Sequence, residues 1–219
     1  VEVGVSSGMA FITVDGDGDN QIIVSPGANS RLSPADITAH TDLISQAKVL
    51  LLQLEIPIPT VIAAAELAHQ QGVTVVLDPA PAQPLPERLL KMVDFLTPNE
   101  HEAATLSGQP ITDLRTAKLA AAKLMRLGCR NVILKLGEKG VLLAEGNHFQ
   151  HIPAFPVQVV DTTAAGDAFG AAFAVSWLES RDQYRALRFA AAAGAITVTR
   201  EGAQSSLPYR TQVDDFLQQ

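Results

Sequence analysis

The chain has 219 residues, of which 47% are hydrophobic and 18% charged, and this supplies enough apolar material for one α/β domain with a small appendage. Its formal net charge of −7 offers no basic field to nucleic acid or anionic lipid, which makes a small molecule the expected partner. A single cysteine cannot form an internal disulfide, and no apolar run approaches the roughly 20 residues that span a bilayer, so we expect a cytoplasmic protein.

Residues 1–30 are predicted to contain a partial β lid. Two β-like runs, MAFITV and QIIVS, flank DGDGDN, in which Gly and Asp favour a hairpin turn. The same six residues resemble the start of a calcium loop, but Asn20 and Pro26 stand where such loops carry Gly and Glu. A plain turn is therefore preferred over a calcium site.

Residues 31–219 are predicted to form an α/β domain, because helix-like and strand-like segments alternate along them. Predicted strands lie in VLLLQLE, VTVVLDPA, VDFLTPN and RNVILKLGEKGVLLAEGNHFQHI. Predicted helices lie in SPADITAHTDLISQA, PTVIAAAELAHQQG, EHEAATLSG and TDLRTAKLAAAKLMRLG, and near 165–179 and 182–198. This alternation indicates a doubly wound, mostly parallel sheet with helices on both faces and a ligand site beyond the carboxyl ends of the strands.

The segment DTTAAGDAFGAAFA, residues 161–174, places a carboxylate at the start of a predicted helix. Apolar or small residues recur there at steps of three and four, namely Ala165, Ala168, Phe169, Ala172, Phe173, Ser176 and Trp177. The first N–H groups of a helix lack internal partners, and the small residues of AAGD would let a phosphate approach them. Asp167 would sit beside that anion site; alternatively, it only offsets the helix dipole.

Two more strand ends carry candidate residues. In TPNEHE, Asn99 and Glu102 are three residues apart and share one side of a helix, either as functional groups or as an N-cap and its capping-box partner. In LKLGEKG, glycines bound a turn that suits close approach by a nucleotide or forms a plain hairpin turn.

Taken together, these motifs resemble the ribokinase family, the carbohydrate kinases related to bacterial phosphofructokinase of the minor type (PfkB). DTTAAGDAFGAAFA resembles its C-terminal signature, NEHE its Asn-x-x-Glu magnesium motif, KLGEKG its nucleotide loop, and TREGAQSSLP the end of its potassium loop. The resemblance covers almost the whole chain. It implies ATP-dependent phosphorylation of the primary hydroxyl of a sugar, with D-ribose giving ribose 5-phosphate as the expected reaction. Another pentose, a ketohexose or a nucleoside is the alternative acceptor.

The resemblance also implies roles for individual residues. Asp167 becomes the general base, and the γ-phosphate is held by the backbone amides of Ala164, Ala165, Gly166 and Asp167. The nucleotide is bordered by Asn99 and by Lys135, Leu136, Gly137, Glu138, Lys139 and Gly140. Ala191 stands where relatives carry His or Asn near the adenine, which weakens the expected adenine specificity. Glu55 matches a position that touches the sugar; alternatively, it is a solvent-facing carboxylate at a strand end.

Two cations are implied in the same way. Mg²⁺ would be served by Glu102 and Asn99, mainly through waters. K⁺ would be served by Asp161 and Thr163, by carbonyls near Thr197, Arg200 and Gly202, and by the hydroxyl of Ser206. A plain network of turn hydrogen bonds is the alternative for the second set.

Family members also carry, ahead of the matched region, an Asn and an Asp on the first strand and a Gly-Gly-Lys-Gly-x-Asn turn that bind sugar hydroxyls. None of these motifs occurs here, so we expect a fragment, a chain whose beginning was not recorded, or a shortened gene product. A nucleotide-binding or interaction module without turnover is then the alternative function. The lid hairpin of the family pairs with a second copy, which makes a homodimer through the lid an expectation.

Overall fold

The computed structural model describes residues 4–14 and 20–218. The first element is an antiparallel pair of strands, β1 (Met9–Val14) and β2 (Asn20–Ser25), in which Phe11 lies opposite Ile23. The predicted strands are therefore present. The turn between them, with its calcium-loop alternative, rests on residues 15–19 and lies outside the described residues.

A six-stranded sheet organises the rest of the described chain, with strand order β3-β4-β5-β6-β7-β8. Its strands are β3 (Val49–Leu52), β4 (Thr74–Leu77), β5 (Phe95–Leu96), β6 (Asn131–Lys135), β7 (Val141–Glu145) and β8 (His148–Ile152). Strands β3 to β6 run parallel, whereas β7 and β8 continue the sheet antiparallel through short Gly-containing turns. The predicted α/β class with a mostly parallel sheet is confirmed.

The described residues form nine α-helices: α1 (Pro34–Ala39), α2 (Thr41–Gln46), α3 (Ile58–Gln70), α4 (Glu87–Leu90), α5 (Glu100–Ser107), α6 (Leu114–Arg126), α7 (Ala165–Ser180), α8 (Gln183–Thr197) and α9 (Arg210–Phe216). Ser33 caps α1 and Pro34 begins it. Within the part of the chain described, no helix combines the length and the apolar character that crossing a membrane requires.

The single helix predicted over SPADITAHTDLISQA is in fact two short helices. His40 separates them with φ −114° and ψ 26°, outside helical values. The imidazole Nδ1 of His40 lies 2.8 Å from the Asp36 carbonyl, and the Thr41 hydroxyl donates to the Thr38 carbonyl at 2.7 Å. These side chains occupy carbonyls that would otherwise continue the helix, so local side-chain bonds end α1.

Apolar layers cover both faces of the sheet. Alternate residues of a strand point to opposite faces, and in β4 Val75 and Leu77 join one apolar cluster while Val76 joins another. The first cluster packs beneath α3 and α6, and the second lies against α7 and α8. The sheet is thus held from both sides, which fixes the positions of its strand ends relative to α7.

Cys129 lies in the first apolar cluster and is only 4% exposed. Burial raises the pKa of its thiol to about 12, because the surrounding apolar groups disfavour the thiolate. The side chain therefore behaves as a small apolar core residue.

Candidate active site

Polar side chains from neighbouring strands gather at one edge of the sheet. Gln53 follows β3, Asp78 follows β4, Asn99 comes shortly after β5, and Lys135 is the last residue of β6. These strands are parallel, so their carboxyl ends meet at the same edge. Polar side chains therefore gather where the alternation of helices and strands predicts a ligand site.

A cavity of about 200 Å³ opens at this edge, between the strand ends and the beginning of α7. It is lined by Leu51, Leu52, Gln53, Val76, Asp78, Thr97, Gly166, Asp167, Gly170 and Ala171. Asp167 is exposed to it, and the Gln53 amide Nε2 donates to the carboxylate Oδ1 of Asp167 at 2.8 Å. The predicted base thus faces a space that can hold a small polar molecule.

The backbone ahead of Asp167 leaves donors free. Ala164, the N-cap of α7, adopts the left-handed conformation at φ 61°, and Ala165 donates its N–H to the Thr162 carbonyl at 3.3 Å. Among the described residues, the N–H groups of Ala164, Gly166 and Asp167 have no protein acceptor. Three of the four amides assigned to phosphate are therefore available. They lie at the N-terminal end of α7, where the helix dipole favours an anion.

An ion pair lies against this first turn of α7. The ammonium Nζ of Lys135 is 2.6 Å from the carboxylate Oδ2 of Asp78, and the two side chains are only 17% and 15% exposed. Burial raises the pKa of the Asp78 carboxyl, opposed by the Lys135 charge and its hydrogen bond and reinforced by the Asp167 charge. The Lys135 side chain therefore lies against Asp78, which lines the cavity, while its backbone begins the predicted nucleotide loop.

Asn99 and Glu102 form the capping box that was the alternative to a metal role. Glu102 accepts from the Asn99 backbone N–H at 2.7 Å and from the Asn99 side-chain amide at 2.8 Å, one bond to each oxygen. Burial raises the pKa of the Glu102 carboxyl, the Asn99 backbone bond opposes this, and the Asp78 charge adds to it. Since both oxygens are occupied and the residue is 6% exposed, it suits a metal only through waters.

The predicted nucleotide loop divides into an exposed part and two anchors. Gly137–Lys139 form a 3-10 turn whose three residues are exposed. Leu136 and Gly140 are buried and close the turn, with the Leu136 N–H donating to the Gly140 carbonyl at 2.8 Å. The Lys139 ammonium lies 3.1 Å from the Glu100 carboxylate, which ties the turn to the beginning of α5.

The residues assigned to potassium lie on two segments that one carboxylate joins. Asp161 accepts the N–H of Thr163 at 2.9 Å on one oxygen and the N–H of Gly202 at 2.9 Å on the other. A hydrogen bond from the Thr163 side chain lowers the pKa of the Asp161 carboxyl most, and the backbone bonds from Thr163 and Gly202 lower it further. The Ser206 hydroxyl donates to the Ala203 carbonyl at 2.7 Å, which leaves its lone pairs free to accept a donor or a cation.

The other residues assigned to potassium lie at the end of α8 and shortly after it. The Thr197 carbonyl accepts the Arg200 N–H at 3.2 Å, so this carbonyl already has a donor. Among the described residues, the carbonyls of Arg200 and Gly202 accept no hydrogen bond. Carbonyl oxygens that accept no hydrogen bond can coordinate a monovalent cation. The alternative, a network of turn hydrogen bonds, accounts for only some of the oxygens in this set.

Two predicted residues lie away from the cavity. Glu55 is exposed two positions beyond Gln53 and does not line it. Ala191 is half-buried in α8 and packs against the second apolar cluster. Their contacts with sugar and adenine stay predictions.

Sequence reasoning overlooked Gln53 and Asp78. Both come directly after buried parallel strands. The rule that ligand sites lie beyond the carboxyl ends of parallel strands could therefore have identified them. The sequence gives no signal for the direction of the Lys135 side chain, because it does not show which strand end a long side chain reaches.

Within residues 4–14 and 20–218, no cluster of three or more His, Cys, Asp or Glu side chains is arranged to hold a metal ion.

Comparison with known proteins gives a consistent result. The family model described as pfkB family carbohydrate kinase matches residues 2–210. The ribokinase of Haemophilus influenzae is 43% identical over 97% of this chain, and the match spans 69% of that protein. The crystal structure of ribokinase from Thermotoga maritima superposes with a TM-score of 0.90 at 45% identity, over 100% of this chain and 72% of that one. The ribokinase of Arabidopsis thaliana, solved with ribose and ATP, gives a TM-score of 0.89 at 38% identity, over 99% of this chain and 70% of that one.

Proposed function

Because this chain belongs to the pfkB family of carbohydrate kinases, we propose that it transfers the γ-phosphoryl group of ATP to the primary hydroxyl of D-ribose, giving ribose 5-phosphate and ADP. One observation carries the proposal: an exposed carboxylate, Asp167, faces a cavity beside backbone amides that lack protein acceptors. Relatives named ribokinase, from bacteria to a plant, support ribose as the acceptor.

Asp167 is suited to the role of general base. It takes the proton of the sugar hydroxyl as the hydroxyl oxygen forms its bond to the γ-phosphorus and the bond from phosphorus to the ADP oxygen breaks. The Gln53 amide holds the carboxylate from the side of β3, which limits its rotation. The amides of Gly166 and Asp167 are placed to stabilise the charge on the transferring group.

The two predicted cations remain part of the proposal. Magnesium, bound to the ATP phosphates, would supply charge neutralisation, and the hydrogen-bonded pair of exposed Asn99 and buried Glu102 would orient its waters from the beginning of α5. Potassium would be held by the carbonyls of Arg200 and Gly202, the Ser206 hydroxyl and the neighbouring oxygens.

A requirement for potassium is expected because Asp161 joins the candidate site to the segment that begins α7. We expect faster turnover in potassium than in sodium or an inert organic cation, since an ordered loop fixes the amides beside Asp167. In Asp161→Ala the acceptor for the Thr163 and Gly202 amides is lost, and the rate should become low and independent of the cation. Initial rates in chloride salts of the three cations at equal ionic strength measure this. Equal wild-type rates in all three would reject the site.

The domain division, the homodimer and the location are proposed with the same function. The two-stranded sheet β1-β2 forms the lid, and residues 31–219 form the nucleotide-binding domain. Phe11 and Ile23, which face each other on the lid, are 56% and 61% exposed, and such an apolar surface suits a second copy of the lid. A mass of one protomer at micromolar concentration by light scattering would reject the dimer. We place the kinase in the cytoplasm, where ATP is available.

The test of the function is ADP release as a function of the sugar. We expect release that depends on ribose and saturates with it, and weaker use of other pentoses, ketohexoses and nucleosides. ATP binding with no dependence of ADP release on any sugar would instead identify a nucleotide-binding module without turnover.

A further inference from the structure

The ion pair between Lys135 and Asp78 connects strands that are not neighbours. Strand β5 lies between β4, which Asp78 follows, and β6, which Lys135 ends. The 2.6 Å contact between Nζ and Oδ2 therefore crosses the end of β5, beside the cavity that Asp78 and Thr97 line. With both side chains less than one-fifth exposed, removing one partner would leave the other as a poorly solvated charge.

The pair also touches the first turn of α7. A Cβ built on Gly166 would lie 3.4 Å from the Lys135 Nζ and 3.8 Å from the Asp78 Oδ2. Gly166 does not have a positive φ, so its backbone conformation does not demand glycine. A Cβ at these distances would make only ordinary van der Waals contact, so the ion pair lies beside the first turn of α7, with its positive charge near the amides that are assigned to phosphate.

The Lys135 ammonium also affects the electrostatics of the cavity, because carboxylates lie close to it. Asp78 and Asp167 line the cavity; the Asp167 charge acts on the Asp78 carboxyl, and the Asp78 charge acts on the Glu102 carboxyl. The Lys135 ammonium is paired with one of these carboxylates, so without it the Asp78 charge would oppose the charge that develops on the transferring phosphoryl group. The buried Oδ1 of Asp78 has no hydrogen-bond partner among the described residues, so the Lys135 contact is the only anchor of this carboxylate there.

We propose that Lys135 and Asp78 are positioning residues: the pair fixes the first turn of α7 over the ends of β4 and β6, and its ammonium favours the charge that develops on the transferring phosphoryl group. This inference rests on the proposed kinase function. It differs from the sequence expectation for Lys135, which placed its side chain beside the ribose and adenine of ATP.

The test compares Lys135→Met, Asp78→Asn and the double variant. Lys135→Met is expected to lower kcat about a hundredfold, as loss of one donor to a transition-state charge does, with the KM for ATP changed less than about threefold. Asp78→Asn alone should lower kcat about tenfold, because it releases the ammonium from its position. In the double variant no uncompensated carboxylate remains, so kcat should recover about tenfold over Lys135→Met. Lys135→Arg, which keeps the charge, should be the least affected.

A matched control comes from the opposite edge of the sheet. Arg130 pairs with Asp94 at 2.7 Å, and Arg130→Met should leave both kinetic constants unchanged. Binding of ADP with aluminium fluoride, an anionic mimic of the transferring group, is measured beside the kinetics. Lys135→Met should weaken that complex about a hundredfold and leave ATP affinity unaltered.

Two results would overturn the inference. A double variant no faster than Lys135→Met would mean that the pair contributes packing rather than balanced charge. A loss confined to the KM for ATP, with kcat unchanged, would make Lys135 a nucleotide contact only. A wild-type chain that binds the aluminium fluoride complex but phosphorylates no ribose would contradict the proposed acceptor, while the binding series would still decide the role of the pair.

Discussion

Asp167→Asn is expected to lower kcat about a thousandfold, because a positioned general base contributes about 10² to 10⁴ to proton transfer and asparagine cannot accept the proton. Affinity for ATP should be nearly unchanged, since the backbone amides that face the phosphate do not depend on the side chain. The free energy of unfolding should change by less than about 1 kcal/mol, the range of one interaction with a helix dipole. Steady-state kinetics, ATP titration and denaturant unfolding measure these quantities.

The control for this substitution is Asp42→Asn. Asp42 also lies in the first turn of a helix, α2, so the same substitution there removes the same interaction with a helix dipole. It should leave kcat unaltered. Equal and small losses in both variants would mean that Asp167 only offsets the dipole of α7, which was the alternative from sequence.

Gly140→Ala is expected to give the largest loss of stability. Gly140 has φ 92°, and a Cβ there would collide with the Ile152 carbonyl oxygen and lie 2.7 Å from the Ala154 nitrogen. Left-handed strain of about 1 to 2 kcal/mol and overpacking of about 1 to 3 kcal/mol should together lower the free energy of unfolding by roughly 3 kcal/mol. The turn at 137–139 should move with it, so the KM for ATP should rise. Urea unfolding and ATP titration measure both effects.

Gly146→Ala separates strain from collision. Gly146 also has a positive φ, 55°, but no atom lies within 4 Å of the position its Cβ would take. Its substitution should therefore show the strain alone, about 1 to 2 kcal/mol, with ATP binding unchanged. Equal losses in the two variants would show that backbone conformation, rather than contact with the segment after β8, decides the effect at Gly140.

Much of the fold follows from local pattern. The short apolar runs became the parallel strands, and Ser33 with Pro34 begins α1, because a cap and a fixed φ act within a few residues. The break at His40 was missed because the apolar pattern continues across it, and only side-chain bonds to two carbonyls end the helix there.

The candidate site was predictable to the extent that its residues follow strands. Asn99 was identified in this way and Asp167 from its place at the start of a predicted helix, and both lie at the expected edge of the sheet. Asp78 and Gln53 follow strands in the same way, so the same rule could have identified them, and both line the cavity. The contact between Lys135 and Asp78 spans 57 residues of sequence and crosses a third strand, and no local pattern contains that information.

Phosphorus NMR of one reaction, with equal amounts of ATP and ribose, tests the central claim most directly. If Asp167 acts as the base beside unpaired helix amides, the unmodified chain should convert both into ADP and ribose 5-phosphate in equal amounts. The Asp167→Asn variant should leave the starting signals in place over the same time. Free phosphate in place of the sugar ester, or conversion at the same rate in the Asp167 variant, would contradict the account.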